Sequence, residues 1–179
     1  HGIVFERTDL DPPVRIPAIV SNTTERARRT TLRSGETSIE TVEHCMSALA
    51  GMHIDNALVK VHGPEIPLGD GSAAPFVEQI ERVGVIEQTA PRRILRVSEP
   101  VVIQDGDSMI AAFPSDHDRF EVLYDLDYGD EEHRISRQSQ AFVFGNGSYR
   151  RELASARTFS LEEEARGMWE RGHCRHLSP

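Results

Sequence analysis

Glu43 and His44 are adjacent near the start of a segment with helical periodicity, on the side away from its apolar residues. An imidazole can bind zinc, and a neighbouring carboxylate that does not bind the metal can accept a proton from metal-bound water. A Glu-His pair is also common on an ordinary solvated helix face. The pair by itself therefore leaves a metal-dependent site and a solvated face both open.

Asp70 lies between two glycines just before a predicted helix. The free N–H groups at a helix N-terminus favour a nearby carboxylate, which would suit a binding site. The structural alternative is that Asp70 and Gly71 form a turn and that Ser72 caps the helix. Spacing alone favours the turn.

The break between two predicted helices contains Arg157, Thr158 and Phe159. A threonine hydroxyl and an aromatic ring at such a break could contact a ligand. The alternative for Phe159 is a hydrophobic staple that precedes a capping residue, Ser160. The residues alone favour the staple.

A run of soft metal ligands stands near the end of the chain and consists of His173, Cys174 and His176. No second pair at zinc-finger spacing accompanies this run. No Walker, GxGxxG or GxSxG motif is present either. The isolated patterns thus define neither a zinc finger nor a nucleotide-binding loop.

The Glu-His pair is positioned by a predicted helix at Thr41–Ala50, which Gly51 ends. A β-branched strand follows at Ile54–His62, and Pro64–Gly71 is too rich in proline and glycine for regular structure. The apolar face of the helix consists of Val42, Met46, Leu49 and Ala50.

A second helix is predicted from the cap residue Ser72 to Gly84, and the polar segment Glu87–Arg93 then interrupts both patterns. The inward stripe of this helix consists of Phe76, Ile80 and Val83. The polar segment therefore marks a domain boundary.

Strands and then helices are predicted beyond that boundary. The strands are Ile94–Ile103, Met109–Phe113, Phe120–Tyr128 and Gln140–Phe144. The first helix is Ser148–Ala156, with Tyr149, Leu153 and Ala156 on one face. The second helix is Ser160–Arg171, in which Ser160 and Glu163 have capping-box spacing and Gly172 ends the helix. Its inward residues are Ala165, Met168 and Trp169. Several consecutive strands followed by several consecutive helices predict an α+β fold.

Three segments follow from these patterns: a first domain at 1–88, a linker at 89–93 and a second domain at 94–179. The second domain ends after a helix with no returning strand, and the first begins abruptly in strand-like sequence. We therefore expect two similar layered α+β domains, each a sheet packed on helices, in a fragment whose second domain is incomplete.

Composition excludes several classes of protein. The 179 residues carry a net charge of −9, which disfavours a broad electrostatic grip on nucleic acid. No apolar run reaches the ~20 residues of a membrane span. The 2 cysteines are far apart, so a disulfide framework is excluded and a reducing, cytoplasmic compartment is expected.

Taken together, the motifs resemble a known family. The segments ETSIETVEHCMSALAGMHIDN, GPEIPLGDGSAAPF and RELASARTF occur in this order, and GIVFERTDLDPPVRIPA and RTTL lie upstream. They resemble the zinc-dependent UDP-3-O-acyl-N-acetylglucosamine deacetylases of lipid A biosynthesis. The resemblance extends from residue 2 to about residue 172 and implies two similar α+β domains with the active site between them.

The resemblance also implies roles for individual residues. His44 matches the family's first zinc ligand, and Glu43 matches its catalytic base. Thr158 matches a position near the scissile carbonyl, and Phe159 one beside the acyl chain of the substrate. Asp70 lies in a family motif near the substrate, with its direct role open.

The sequence departs from the family in its metal ligands. The family's other zinc ligands are a histidine and an aspartate at His-x-x-x-Asp spacing, and a further histidine acts as acid or electrostatic partner. No histidine here has an aspartate four residues later. The alternative to an enzyme is thus a truncated or degenerate relative that keeps the fold and binds sugar nucleotide without cleaving it. A third alternative is a fusion, since some relatives continue into a hydroxyacyl carrier-protein dehydratase.

Overall fold

The computed structural model describes residues 1–129, 135–145 and 147–170 as small sheets and short helices. The strands are β1 (Ile3–Arg7), β2 (Val14–Pro17), β3 (Thr23–Thr24), β4 (Thr31–Ser34), β5 (Thr37–Glu40), β6 (Ala57–Val61), β7 (Val101–Asp105), β8 (Ser108–Ala112), β9 (Phe120–Leu126) and β10 (Gln138–Phe144). The helices are α1 (Glu43–Gly51), α2 (Ala74–Val83) and α3 (Glu162–Glu170), with a 3-10 turn at Val20–Asn22 and a π-helical turn at Tyr149–Leu153. Separate sheets and helices confirm the α+β class. The division into two similar layered domains stays a prediction.

The first sheet has the strand order β2-β1-β6. Its central strand β1 runs antiparallel to β2 and parallel to β6, so that Phe5 lies opposite both Ile16 and Val59. A parallel pair needs a crossover connection, and the intervening chain with α1 supplies it. α1 is therefore part of the connection between β1 and β6.

The second sheet, β3-β4-β5, is antiparallel and leads directly into α1. Leu32 of β4 pairs with Ile39 of β5, and both side chains are buried. At the end of β5, Glu40 forms an isolated parallel bridge with Glu65. The loop after β6 thus lies beside the entry to α1.

An apolar core lies between these sheets and α1. Its buried members are Phe5, Ile16, Leu32, Ile39, Val42, Cys45, Leu49, Val61 and Ile66. On α1, the predicted inward positions Val42 and Leu49 are confirmed, whereas Ala50 is exposed. Cys45 is buried on the same face, three residues after Val42, and Ala48 is buried against the second core cluster.

α2 keeps most of its predicted pattern. The hydroxyl of Ser72 accepts a hydrogen bond from the N–H of Ala74 at 3.1 Å, although Ser72 lies one residue before the cap position. Gly84, with φ of 80°, ends the helix as predicted. The prediction that Val83 faces the core is wrong, because its side chain is 81% exposed. Val77 is the buried residue of the helix instead.

The strands after residue 100 form two separate pairs, β7 with β8 and β9 with β10. The strand predicted from Ile94 begins only at Val101, directly after Pro100, which has no N–H to give to a ladder. Residues 84–100 are neither helix nor strand. The exposed apolar side chains on these strands include Val101, Val102, Ile103, Met109, Ile110, Phe120, Leu123, Tyr124 and Val143.

The predicted helix Ser148–Ala156 is the shorter π-helical turn at 149–153. Tyr149 is buried as expected, Leu153 is half-buried, and Ala156 is exposed. A second core cluster joins this turn to α1 and α2 through Ala48, Ala73, Val77, Tyr149 and Ala154. The chain after β10 therefore packs against the helix that carries Glu43 and His44.

α3 begins at Glu162, two residues after the predicted cap Ser160. At its start, the N–H of Leu161 donates to Glu164 Oε2 at 3.1 Å, one residue beyond the predicted partner Glu163. Ala165 and Trp169 are half-buried. The predicted helix end and the run His173, Cys174 and His176 lie outside the described residues. Over the part of the chain that the structure describes, no helix has the length and apolar character to cross a bilayer.

Candidate functional site

Glu43 and His44 occupy the first positions of α1, which starts at Glu43 instead of Thr41 and includes Gly51. Both side chains are half-buried. Glu43 Oε2 accepts a hydrogen bond from the N–H of Thr30 at 3.0 Å. A carboxylate held this way has a defined orientation and a partly desolvated setting, both useful in a general base.

Asp70 forms the turn that the sequence predicts. Its Oδ1 accepts from the N–H of Ser72 at 3.0 Å and from the Ser72 hydroxyl at 2.7 Å. The Ser72 hydroxyl lowers the pKa of the Asp70 carboxyl, and the charge of Arg157 adds to this effect. Asp70 is therefore an ionised turn residue that also carries an ion-pair partner.

Thr158 lies against this same turn. Its N–H donates to the carbonyl oxygen of Gly71 at 2.8 Å, and Arg157 Nη2 lies 3.6 Å from Asp70 Oδ2. A Cβ at Gly71, where φ is 82°, would meet Thr158 Cγ2 at 3.4 Å. The structure thus brings together two segments that the sequence separates by more than eighty residues.

Phe159 follows Thr158 and is 60% exposed. A hydrophobic staple would cover the ring against its own helix. The exposed fraction shows that most of the Phe159 ring is uncovered beside Thr158, and the staple stays a prediction.

The loop after β6 connects the two halves of the site. At one end, the Pro64 carbonyl accepts from the N–H of Glu40 at 2.8 Å, next to the start of α1. At the other end, the loop forms the Asp70-Gly71 turn against Thr158. One short segment thus contacts the neighbourhoods of both predicted catalytic residues.

Ser47 and Tyr149 provide a further link, which sequence reasoning missed. Ser47 Oγ on α1 lies 2.7 Å from the hydroxyl of Tyr149. Burial raises the pKa of Tyr149, and the hydrogen bond with Ser47 acts in the opposite direction. A buried tyrosine hydroxyl signals that some partner exists, but no local pattern identifies Ser47 as that partner.

The described residues do not complete a metal site. Within residues 1–129, 135–145 and 147–170, no group of three or more His, Cys, Asp or Glu side chains is placed to hold a metal ion. Catalytic zinc normally has three protein ligands and one open position. The described residues therefore do not fit a zinc ion without further ligands.

The fold and these groups define an α+β protein with a helix-borne carboxylate and imidazole connected by one loop to a threonine and an aspartate. The family model for LpxC, UDP-3-O-acyl N-acetylglycosamine deacetylase, matches residues 1–179, and the chain belongs to this family.

Curated relatives agree with the family model. A UDP-3-O-acyl-N-acetylglucosamine deacetylase of Cellvibrio japonicus is 42% identical over 163 residues, which cover 91% of this chain and 53% of the relative. A protein of the same name from Myxococcus xanthus is 41% identical over 175 residues, 98% of this chain and 54% of the relative. One from Pseudomonas entomophila is 41% identical over 160 residues, 89% of this chain and 52% of the relative. The chain thus spans about half the length of the curated relatives it matches.

Proposed function

We propose that the whole protein to which this chain belongs hydrolyses the N-acetyl group of UDP-3-O-acyl-N-acetylglucosamine, an early step of lipid A biosynthesis. The products are acetate and the free glucosamine amine. The observation that carries the proposal is the family match over residues 1–179, which includes the Glu43-His44 pair at the start of α1. The names of the relatives support the choice of substrate.

Glu43 is proposed as the general base. It takes a proton from water while the water oxygen adds to the acetyl carbonyl carbon, so the carbonyl oxygen becomes an oxyanion. The bond from Thr30 N–H to Oε2 keeps the carboxylate in one orientation for this transfer. Collapse of the intermediate breaks the C–N bond, and the leaving amine takes the proton that Glu43 accepted from water.

Thr158 is proposed to stabilise the oxyanion through its hydroxyl. Its main-chain N–H is bonded to Gly71, so the position of the residue is set by the Asp70-Gly71 turn. The carboxylate of Asp70 is already bonded to Ser72 and paired with Arg157. Asp70 is therefore proposed to affect substrate binding indirectly, through the turn that positions Thr158. The exposed ring of Phe159 is proposed to lie beside the acyl chain.

Zinc dependence is part of the proposal for the whole protein, with His44 as one ligand. One support is the resemblance of the motifs to a zinc-dependent family, to which the chain belongs. The other is the imidazole beside a carboxylate at the start of α1. The described residues do not supply the remaining ligands, so the chemistry that they support is that of Glu43 and Thr158.

A non-catalytic relative that keeps the fold and binds sugar nucleotide is the second candidate function. The observation that favours it is the lack of a metal-ligand cluster among the described residues. The presence of Glu43 and its bond to Thr30 favours the enzyme instead.

A cytoplasmic location completes the proposal. Its support is chemical: within the described residues Cys45 is a free, buried thiol, and burial raises its pKa to about 11. A thiol of this kind is typical of a protein that needs no disulfide.

The test is acetate release from UDP-3-O-acyl-N-acetylglucosamine by the purified whole protein. Glu43→Gln should lower turnover about 100-fold or more, while its zinc content stays close to that of the wild type. Glu36→Gln is the matched control, because the Glu36 side chain is 99% exposed. Binding of the substrate without acetate release by the wild type would replace the deacetylase with the non-catalytic candidate.

A further inference from the structure

Thr41 immediately precedes α1 and has a left-handed backbone, with φ of 59°. A β-branched residue is a genuine outlier in this region, because its side chain crowds the backbone. Such a conformation persists only where the surrounding structure holds it. Thr41 is also buried, with 6% of its surface exposed.

Two segments hold this turn from opposite sides. On one side the carbonyl of Pro64 accepts from Glu40 N–H at 2.8 Å, and Ile66 N–H donates to the Glu40 carbonyl at 3.0 Å. On the other side, Val42 N–H donates to the carbonyl of Thr30 at 3.4 Å. Main-chain bonds therefore fix the residues on both sides of Thr41.

The side chain of Thr41 completes this arrangement. Its hydroxyl donates to Glu65 Oε1 at 2.7 Å. A threonine hydroxyl before a helix ordinarily accepts from the first N–H groups of that helix. In this structure the residue at the cap position is Val42, and no side-chain bond caps α1 there. The Thr41 hydroxyl is thus directed to the loop and not to the helix.

We propose that Thr41 and Glu65 are a positioning pair that sets the direction in which α1 presents Glu43 and His44. Neither residue touches the reacting atoms. The pair acts because the turn at Thr41 decides where the first residues of α1 lie, and a displacement of about 1 Å at a reacting group can cost about 100-fold in rate. This proposal rests on the proposed deacetylase function for its kinetic readout only.

The consequence for Glu43 is directly measurable. Its carboxylate accepts from Thr30 N–H at 3.0 Å, and we expect a change in the direction of α1 to lengthen this bond. Loss of the Thr41-Glu65 bond should therefore release the Thr30 amide and speed its exchange with solvent. This readout does not depend on turnover.

The experiment compares Thr41→Val and Glu65→Ala with the conservative variants Thr41→Ser and Glu65→Gln in the whole protein. Thr41→Val and Glu65→Ala should each lower kcat about 10-fold or more with KM within about twofold, and should speed Thr30 amide exchange. Thr41→Ser keeps the hydroxyl donor and Glu65→Gln keeps an oxygen acceptor. Both conservative variants should therefore retain most of the wild-type kcat and the slow exchange of the Thr30 amide. The double variant Thr41→Val/Glu65→Ala should be no worse than either single one, because both remove the same bond.

Thr8→Val is the matched control, because the Thr8 hydroxyl bonds to Val61 in the first sheet, away from the start of α1. It should leave kcat and Thr30 exchange unchanged. Glu65 is exposed, so Glu65→Ala tests the pair even if Thr41→Val fails to fold. Wild-type kcat and wild-type Thr30 exchange in Glu65→Ala would overturn the proposal. A wild-type protein that releases no acetate would overturn the deacetylase function, and Thr30 exchange would still decide the positioning role.

Discussion

The hydroxyl of Tyr149 lies 2.7 Å from Ser47 Oγ, and this bond joins α1 to the turn that precedes Thr158. The residues are 102 positions apart, so the contact ties the helix that carries Glu43 to a distant part of the chain. It complements the loop after β6, which makes a second connection between the same regions. Both connections bear on how the proposed base and the proposed oxyanion donor are held relative to each other.

Tyr149→Phe should lower the free energy of unfolding by about 1 kcal/mol, because it removes one hydrogen bond and keeps the ring. Urea unfolding of Tyr149→Phe, Ser47→Ala and the double variant measures this change. The double variant should lose little more than either single one. Simple addition of the two losses would show that the hydroxyls do not stabilise each other.

The same variant has a pH signature. Burial raises the pKa of Tyr149, so the folded state holds the phenol proton more tightly than the unfolded state, whose pKa is about 10. The stability that this provides is full below pH about 10 and is lost as pH rises through the folded value. Tyr149→Phe should therefore show less loss of stability above pH 10 than the wild type in urea titrations.

Gly51→Ala should destabilise the protein, although alanine is ordinarily the better helix former. A Cβ at Gly51 would overlap the Tyr149 ring, so the ring would have to move. Overpacking of this kind typically costs about 1–3 kcal/mol. Thermal unfolding measures the change, and Gly51→Ala introduced into a Tyr149→Ala background should no longer lower Tm, because the ring it meets is gone. An unchanged Tm in Gly51→Ala would mean that the ring does not pack there in solution.

Local features of this fold could be predicted from the sequence. The turn at Asp70 and the end of α2 at Gly84 follow from side-chain hydrogen bonding and from glycine's access to positive φ. The presence of α1 follows from apolar periodicity, although the helix predicted from Thr41 starts at Glu43. These features depend on residues only a few positions apart.

Features set by distant contacts could not be predicted. Helical periodicity does not predict the hydrogen bond from the Thr41 hydroxyl to Glu65, because Glu65 lies in the loop after β6. The burial of Val77 in place of Val83 reflects what α2 packs against and not its own pattern. For the candidate site, the family resemblance and not the isolated residue patterns indicated Glu43 and Thr158, and the contact of Thr158 with Gly71 required the folded chain.

Thr158→Val should lower kcat about 100-fold or more in the whole protein, because the hydroxyl is the proposed oxyanion donor. The N–H bond to Gly71 remains in this variant, so stability should change little. Thr158→Ser keeps the hydroxyl and should retain most of the activity. Steady-state acetate release, with Tm measured alongside, distinguishes the variants. Equal activity of the valine and serine variants would remove Thr158 from the mechanism.

Asp70→Ala should destabilise the turn at neutral pH more than Asp70→Asn, which keeps an acceptor for Ser72. The Ser72 hydroxyl, with Arg157, lowers the pKa of Asp70 in the folded state. The carboxylate therefore contributes stability above its unfolded pKa of about 4, and that contribution is lost as pH falls through the lower folded value. Urea midpoints at pH 7 and pH 3 should show the wild type converging on Asp70→Ala. A constant difference at both values would contradict the assigned shift.

The 179-residue chain by itself should not hold zinc tightly or release acetate. Within residues 1–129, 135–145 and 147–170, no group of three or more His, Cys, Asp or Glu side chains is placed to hold a metal ion, whereas catalytic zinc usually has three protein ligands. Metal analysis after dialysis against zinc should therefore give far less than one ion per chain, with equal values for the wild type, His44→Ala and the control His62→Ala. The whole protein should instead bind zinc and lose it in His44→Ala. Stoichiometric zinc in the 179-residue chain that disappears in His44→Ala but not in His62→Ala would contradict this expectation and would show that the chain assembles a complete metal site of its own.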